Sequence, residues 1–486
     1  MINFEIFLTT QDEKLKAEFI KKISLAPQEY LDRLCLPNKN CAQALAILTK
    51  KSSVVKALGE KFENTLMEYF CSQDAKIRKY AYVIAGNYNN SLAKQLLSRS
   101  VDTESTFYTL PSLMLALGTQ KDRAKDLLAR VESLKEQIAP KIYAEIVSAY
   151  NKVCPAQVYD CDKIEFEKED FLITTQKCYE DILCAELAFK KQKTKRGIIC
   201  KNLDLTGFRL LCNRRDIYEV FLLIGTFDNV ELASKSAMEK LNSLTKNCNH
   251  PIGYRVNCND NKLKAKFIEL CSLSGFSGLI NSPSNYSVTL DFFVDGLVVS
   301  QIKFEKFKPD FSYRTEFLPA SINPVTASII SKIAQKYNPN AKIVCDTFCG
   351  TATMLVERFF TNQNLQLYGS DISTDAIKKA KTNLQNALIK ATLAVKNITE
   401  FKTPCDEIIS NLPYGLRVGS HQGNFEVYKA LIFACEKYLS IGGYAFLYTA
   451  DKKLLRDLIK RSKLNLIDEL SLTSGGLFCS LFIIKK

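Results

Sequence analysis

Apolar residues recur at three- and four-residue spacing from about residue 10 to about residue 150, with short polar breaks, the pattern of one apolar stripe per helix. Two segments, "DAKIRKYAYVIAGNY" and "ESTFYTLPSLMLALGTQ", each predict an apolar helix ending at a glycine, Gly86 and Gly118. Their likeness predicts helical hairpins repeating at about 30–40 residues. The pattern stops at a polar, acidic stretch, "CPAQVYDCDKIEFEKEDF", whose Pro155 marks a boundary. Strand and helix patterns then alternate: "FLITT" reads as a strand, "CYEDILCAELAFKK" as a helix, "VFLLIGTF" as a strand and "ELASKSAMEKLNSL" as a helix. "IGYRVNC", "KLKAKFIELCSLS" and the paired strand-like runs "YSVTLDFFVDG" and "LVVSQIKF" follow, completing a small α+β layer of the kind that suits a binding module.

From Asn323 the alternation takes on the regularity of a parallel sheet. "AKIVCDTFCGTAT" is an apolar strand running into an acid and a glycine loop, and the helix "MLVERFF" follows. "LQLYGSDIS" ends in a second acid before the helix "TDAIKKAKTNLQNA"; "DEIISNLPYG" is a further strand, and "GGYAFLYTA" and "LFCSLFIIKK" close the region. Strands buried on both faces read as continuous apolar runs, as these do. A doubly wound sheet binds its ligand outside the carboxyl ends of its strands, which is where the three loops fall. The expected fold class is multidomain, α plus α/β. It places a helical region at 1–157, a ferredoxin-like α+β region at 158–318 and a Rossmann-like, doubly wound domain at 319–486.

Composition narrows the chemistry. At 486 residues the chain needs more than one core. It has no uninterrupted apolar tract of about eighteen residues to call for a bilayer, and "MINFEIFLTTQDEKLK" lacks a secretory pattern, so the expected compartment is the cytoplasm. The 17 cysteines are odd in number and scattered through apolar segments, which fits reduced core residues. With no C-x-x-C and only His250 and His421, neither a metal site nor a histidine-based triad is expected. The net charge of +14 favours a polyanionic partner, and "KKQKTKRGIICKNLDLTGFRLLCNRRD" concentrates it. Lys193, Lys195, Arg196, Arg214 and Arg215 of that stretch are the candidate phosphate contacts, with Arg417 further on.

The loops carry the candidate chemistry. A dinucleotide fingerprint needs G-x-G-x-x-G, which is absent here. In its place "DTFCGTAT" resembles the "DPFCGSGT" loop of amino-directed methyltransferases, with Thr347 for the Pro and Ala352 for the second Gly. The resemblance implies S-adenosyl-L-methionine as cofactor. Gly350 lets the chain turn closely past it, Asp346 engages its amino group, and Asp371 accepts from both ribose hydroxyls. Asn397 brings an amide to the adenine edge. Phe348, Cys349, Thr351, Thr353 and Ile372 complete the loops. Asn323 reads as a helix cap, and the helix start there, with Ser321, is placed to meet the methionine carboxylate.

"SNLPYGLRVGS", residues 410–420, resembles the (D/N)-P-P-(Y/F) motif of enzymes that methylate exocyclic amines. An aromatic amine is a poor nucleophile because its lone pair is delocalised. The Asn411 side-chain oxygen and the Leu412 carbonyl are acceptors for its two hydrogens, Pro413 fixes their aim, and Tyr414 stacks on the base. The longer match through Gly415, Arg417 and Gly419, with "FLITTQKCYEDILCAEL", "YRVNC", "NSPSNYSVTLDFFVDG" and "FSYRTEFLPASINP" upstream, is similar to THUMP-linked tRNA guanine-N2 methyltransferases over about residues 165–486. That family's usual Gly in the first of these helices is replaced by Cys178 and Tyr179. The resemblance implies N2-methylguanosine formation in RNA, foremost tRNA, with the central module gripping the acceptor end. In the helical region Asp74, Arg78 and Ala81 resemble a HEAT repeat, which implies a scaffold able to take a protein partner. An N6-adenine methyltransferase and an inactive RNA-binding scaffold are the alternatives. A cytosine-C5 enzyme is disfavoured because Cys405 precedes its strand instead of ending it.

Overall fold

The computed structural model describes residue 7 and residues 12–154, 159–161, 163–413, 421–474 and 477–486. The chain divides into two units, Met1–Val158 with Ser282–Asn285, and Tyr159–Asn281 with Tyr286–Lys486. No helix among the described residues is long and apolar enough to cross a membrane.

The first unit is helical, running from α1 (Glu13–Leu25) to α10 (Pro140–Val153). Its centre is α6 (Ala75–Tyr88), α7 (Ser91–Thr103) and α8 (Leu110–Ala116). Asp74 caps α6 by accepting from the Lys76 amide at 2.8 Å. The helix ends at Asn89, held left-handed at φ 51°. Gly86 therefore does not terminate the helix as its sequence predicts. It lies inside the last turn, and a Cβ there would meet the Ala116 Cα at 3.0 Å, so the glycine serves the close approach of α8. Between the helices Glu104, 4 % exposed, takes a bidentate pair from Arg78 at 2.8 Å and the Tyr82 hydroxyl at 2.5 Å.

The second unit carries two sheets. The first has strands β1 (Glu169–Thr174), β2 (Lys191–Thr194), β3 (Gly197–Leu203), β4 (Glu219–Phe227), β5 (Ile252–Cys258), β6 (Leu279–Asn281), β7 (Val288–Asp295) and β8 (Leu297–Phe304), in the order β2-β3-β1-β4-β8-β7-β5-β6. Pairing is antiparallel except where β5 meets β6 and β7. Helices α11 (Glu180–Glu186) and α12 (Leu205–Cys212) lie between its early strands, and α13 (Val230–Thr245) and α14 (Asn261–Ser272) cover its later ones. The helix expected over "CYEDILCAELAFKK" stops at Glu186, because Leu187 is extended and the basic residues after it enter the hairpin β2–β3.

The second sheet is built from β9 (Ile343–Asp346), β10 (Gln366–Asp371), β11 (Thr392–Val395), β12 (Cys405–Asn411), β13 (Leu439–Thr449), β14 (Asn465–Ser474) and β15 (Leu477–Lys485). Its order is β11-β10-β9-β12-β13-β15-β14. Strands β9 to β13 pair in parallel, whereas β14 and β15 form an antiparallel hairpin at one edge, so the sheet is not wholly parallel as its pattern suggests. Helices α15 (Pro324–Tyr337), α16 (Thr353–Thr361), α17 (Thr374–Asn386), α18 (His421–Tyr438) and α19 (Lys452–Lys460) connect the strands. Successive strands run outward from β9 to β11, then the chain returns to the other side of β9 as β12. The two strands at this reversal end at Asp346 and Asn411, where such sheets open a ligand crevice.

Candidate active site

A cleft of about 480 Å³ opens at these strand ends. Ser321, Asp346, Phe348, Cys349, Gly350, Thr351, Thr353, Asp371, Ile372, Asn397, Asn411, Leu412 and Pro413 all line it. Asn323 does not. Its side chain is spent on capping α15, accepting from the Val325 amide at 2.8 Å and the Thr326 amide at 3.4 Å. Tyr414 and Arg417 lie outside the described residues.

The loop after β9 is shaped by backbone conformation. Gly350 is left-handed at φ 50°, and a Cβ added to it would meet no protein atom within 4 Å, so the residue presents bare backbone to open space. Ala352 is left-handed too, at φ 63°, in the place where the resembled loop has its second glycine. The Gly350 amide donates to Asp371 Oδ2 at 3.0 Å, and the Ser373 amide to Asp371 Oδ1 at 2.9 Å, so the second acid braces the first loop.

Asp346 is 2 % exposed. Its Oδ1 accepts from the Ser410 hydroxyl at 2.7 Å and the Phe348 amide at 3.1 Å. Burial, and secondarily the charge of Asp371, push the carboxyl up to about 7 against those two hydrogen bonds. Two carboxylates in one cleft suit a cationic ligand. Ser410 also accepts from the Thr347 amide at 3.1 Å, tying the β9 loop to the last buried residue of β12. Nothing in the sequence marks that serine, since a small polar residue inside an apolar strand has no pattern of its own.

Asn411 completes the arrangement. Its Nδ2 faces the Ala320 carbonyl at 3.4 Å, and its buried Oδ1 meets no hydrogen-bond donor among the described residues. A carbonyl only accepts, so the amide must turn its NH₂ to Ala320 and its oxygen away from it. The main-chain amide of Leu412 donates to the Tyr448 carbonyl at 2.9 Å.

The basic candidates are scattered. Arg214 is held by Asp216 at 2.6 Å and Glu186 at 2.5 Å. Arg215 pairs with the fully buried Glu357 at 2.6 Å and lies over the rings of Phe311 and Phe360, each 4.4 Å away. Both guanidiniums are thus engaged inside the protein, where a phosphate would have to displace a carboxylate. Lys193 pairs with Asp181. Arg196 bonds Gln301 at 3.0 Å and stacks 4.2 Å from Phe293, while Lys195 is exposed. Cys405, the cysteine nearest the catalytic loop in sequence, is buried at the start of β12 and does not line the cleft.

A doubly wound sheet with an acid–glycine loop, a second acid and an asparagine at its switch point is the arrangement that the methyltransferase resemblance implies. Residues 312–478 match the family model UPF0020, the RMKL-like methyltransferase domain. The solved structure of TrmN from Thermus thermophilus is similar over 65% of this chain and 99% of its own, at 16% identity and a TM-score of 0.52. The structure of SMU.472 complexed with SAH is similar over 65% of this chain and 98% of its own, at 15% identity and a TM-score of 0.52. These two likenesses show the fold. A tRNA (guanine(6)-N2)-methyltransferase of Methanocaldococcus jannaschii is 25% identical over 127 residues, 25% of this chain and 33% of its own length, so the chain spans about a third of that curated relative. Residues 312–478 are an S-adenosylmethionine-dependent methyltransferase domain.

Proposed function

We propose that the chain transfers a methyl group from S-adenosylmethionine to the exocyclic N2 amine of a guanosine in RNA, with tRNA as the substrate. The observation that carries this reading is the buried Asn411 Oδ1 at the cleft, which meets no donor among the described residues. A buried acceptor without a donor costs roughly 1–3 kcal/mol, a cost that a ligand N–H removes. Asn411 Oδ1 and the Leu412 carbonyl accept the two amine hydrogens, which favours a pyramidal nitrogen with its lone pair free. The cofactor supplies a methyl group already activated on a sulfonium. Asp346 and Asp371 bind its cationic amino acid end and its ribose, and Gly350 admits its close approach. The N–CH₃ bond forms as the S–CH₃ bond breaks, S-adenosylhomocysteine leaves, and the methylated amine gives up its extra proton to solvent.

The guanine assignment draws on the tRNA (guanine(6)-N2)-methyltransferase relative and on the sequence of the loop. The central sheet serves as a THUMP-type module that grips RNA, with Lys195 among its exposed cations, and the helical unit serves as a HEAT-type scaffold for a protein partner. The test is incubation of the protein with labelled cofactor and total tRNA from a strain lacking the gene, followed by mass spectrometry of the nucleosides. N2-methylguanosine is the expected product. N6-methyladenosine would overturn the substrate assignment, and cofactor binding with no transfer would overturn the enzymatic one.

A further inference from the structure

Behind the cleft, a buried line of hydroxyls converges on the loop that would hold the amine. Tyr428, on α18, is fully buried, and its hydroxyl donates to the Pro413 carbonyl at 2.7 Å. The Thr449 hydroxyl, also fully buried, lies 2.7 Å from the same oxygen. A phenol has one proton, and here it goes to Pro413, so Thr449 must be the donor to Tyr428. Thr449 Oγ1 in turn accepts from the Asp451 amide at 2.9 Å. These three bonds point one way, from Asp451 through Thr449 and Tyr428 to the Pro413 carbonyl, and bonds in such a series polarise and strengthen one another.

The geometry of the loop gives this series a purpose. The Leu412 amide is held by the Tyr448 carbonyl at 2.9 Å, and the Pro413 carbonyl by Tyr428 at 2.7 Å. The peptide planes before and after the Leu412 carbonyl are therefore both anchored, and the proline ring removes φ between them. We propose that Tyr428 is a positioning residue of the methyl-transfer site, fixing the Leu412 carbonyl and Asn411 as paired acceptors by holding Pro413. This rests on the reading of that loop as the amine site, and not on which base it takes.

Tyr428→Phe removes one oxygen and keeps the shape. Single-turnover transfer from labelled S-adenosylmethionine to total tRNA is expected to slow about tenfold or more, the cost of a misplaced reacting group, while calorimetric cofactor affinity stays within about twofold. Thr449→Val, which removes the donor to Tyr428 and leaves the bond to Pro413, should slow transfer by less, and the double variant should be no slower than Tyr428→Phe. Independently of activity, hydrogen exchange at the Leu412 amide should speed up in Tyr428→Phe with Ile408 unchanged. Wild-type transfer rates in Tyr428→Phe, a parallel loss of cofactor affinity, or unaltered Leu412 exchange would each overturn the proposal. A wild-type protein that methylates adenine, or none of the tRNA, would instead defeat the functional reading, and the exchange measurement still decides the role of Tyr428.

Discussion

An amide that faces a backbone carbonyl has one favourable orientation, and in the proposed site this explains why residue 411 is an asparagine. An aspartate there would set a carboxylate against the Ala320 carbonyl, with no hydrogen to place between them. Asn411→Asp, though isosteric, is expected to reduce methyl transfer by roughly a hundredfold with cofactor affinity retained, as read by single-turnover kinetics beside calorimetry. Asp346 gives a pH dependence of two opposite signs. Its carboxyl stands at about 7 in the protein against an ordinary 3.8, so the native state binds the extra proton across that window and the unliganded protein gains stability as pH falls from 7 towards 4. A cationic ligand needs the charged form, so S-adenosylmethionine affinity should fall by up to about tenfold per unit below pH 7. A calorimetric titration from pH 8 to pH 5 that stays flat would contradict this. Asp346, Gly350, Asp371 and Asn411 were legible in the chain because each closes or follows an apolar strand. Ser410 and Ala320 were not, since their partners lie 64 and 91 residues away and nothing local announces them.

At the scale of elements, the sequence showed helices and strands through period and apolar runs, and missed what long-range contact decides. Strand β11 is four residues long, and the edge strand β14 carries the part-buried carboxylates Asp468 and Glu469, so neither reads as an apolar run. Gly86 reads as a stop but packs against Ala116, whereas the stop itself is Asn89. The turn from β9 into α16 has the reverse misfit: Ala352 adopts a left-handed conformation that glycine takes without cost. Ala352→Gly is expected to stabilise this unit by about 0.5–1 kcal/mol in urea unfolding, relief of the Cβ clash outweighing the added chain entropy. In the helical unit Glu104 joins α6 to the end of α7. Burial alone would raise its carboxyl, but the hydrogen bonds from Arg78 and Tyr82 hold it down to about 2. A depressed carboxyl contributes stability above its unfolded value of 4.5 and loses it as pH falls through about 2, so the pair is fully effective at neutral pH. Glu104→Gln leaves a part-buried guanidinium without its counter-charge and should cost about 1–3 kcal/mol, measured by circular dichroism of urea unfolding at pH 7 and shrinking as pH is lowered.

The whole chain's formal charge of +14 hides how many cations of the second unit are already committed. Arg215 follows α12 of the first sheet's layer, and its partner Glu357 stands one turn into α16, the helix that leaves the acid–glycine loop. Tyr313, in the segment between the sheets, donates to the same carboxylate at 2.8 Å. Two more ties join the layers: the Gln176 amide pairs with the backbone of Thr473 on β14 at 2.8 and 3.0 Å, and Tyr218 meets Thr326 on α15 at 2.8 Å. No sequence pattern could pair Arg215 with a residue 142 positions away, which is why it read as a surface cation. Burial raises the Glu357 carboxyl against the pull of Arg215 and Tyr313. Arg215→Met strips away the larger counterweight and leaves a carboxylate in the interior, for which about 3–5 kcal/mol is the expected cost. Because a raised carboxyl favours the protonated native state, that loss should be greatest at high pH and should shrink as pH falls towards 4.5. Arg215→Met combined with Glu357→Gln removes both charges and should recover much of the stability, since neither variant then strands a buried ion. The chain has no tryptophan, so tyrosine fluorescence and far-ultraviolet dichroism would follow the urea transitions. Additive losses in the double variant would show that the two side chains are not coupled, and would refute the latch between the sheets.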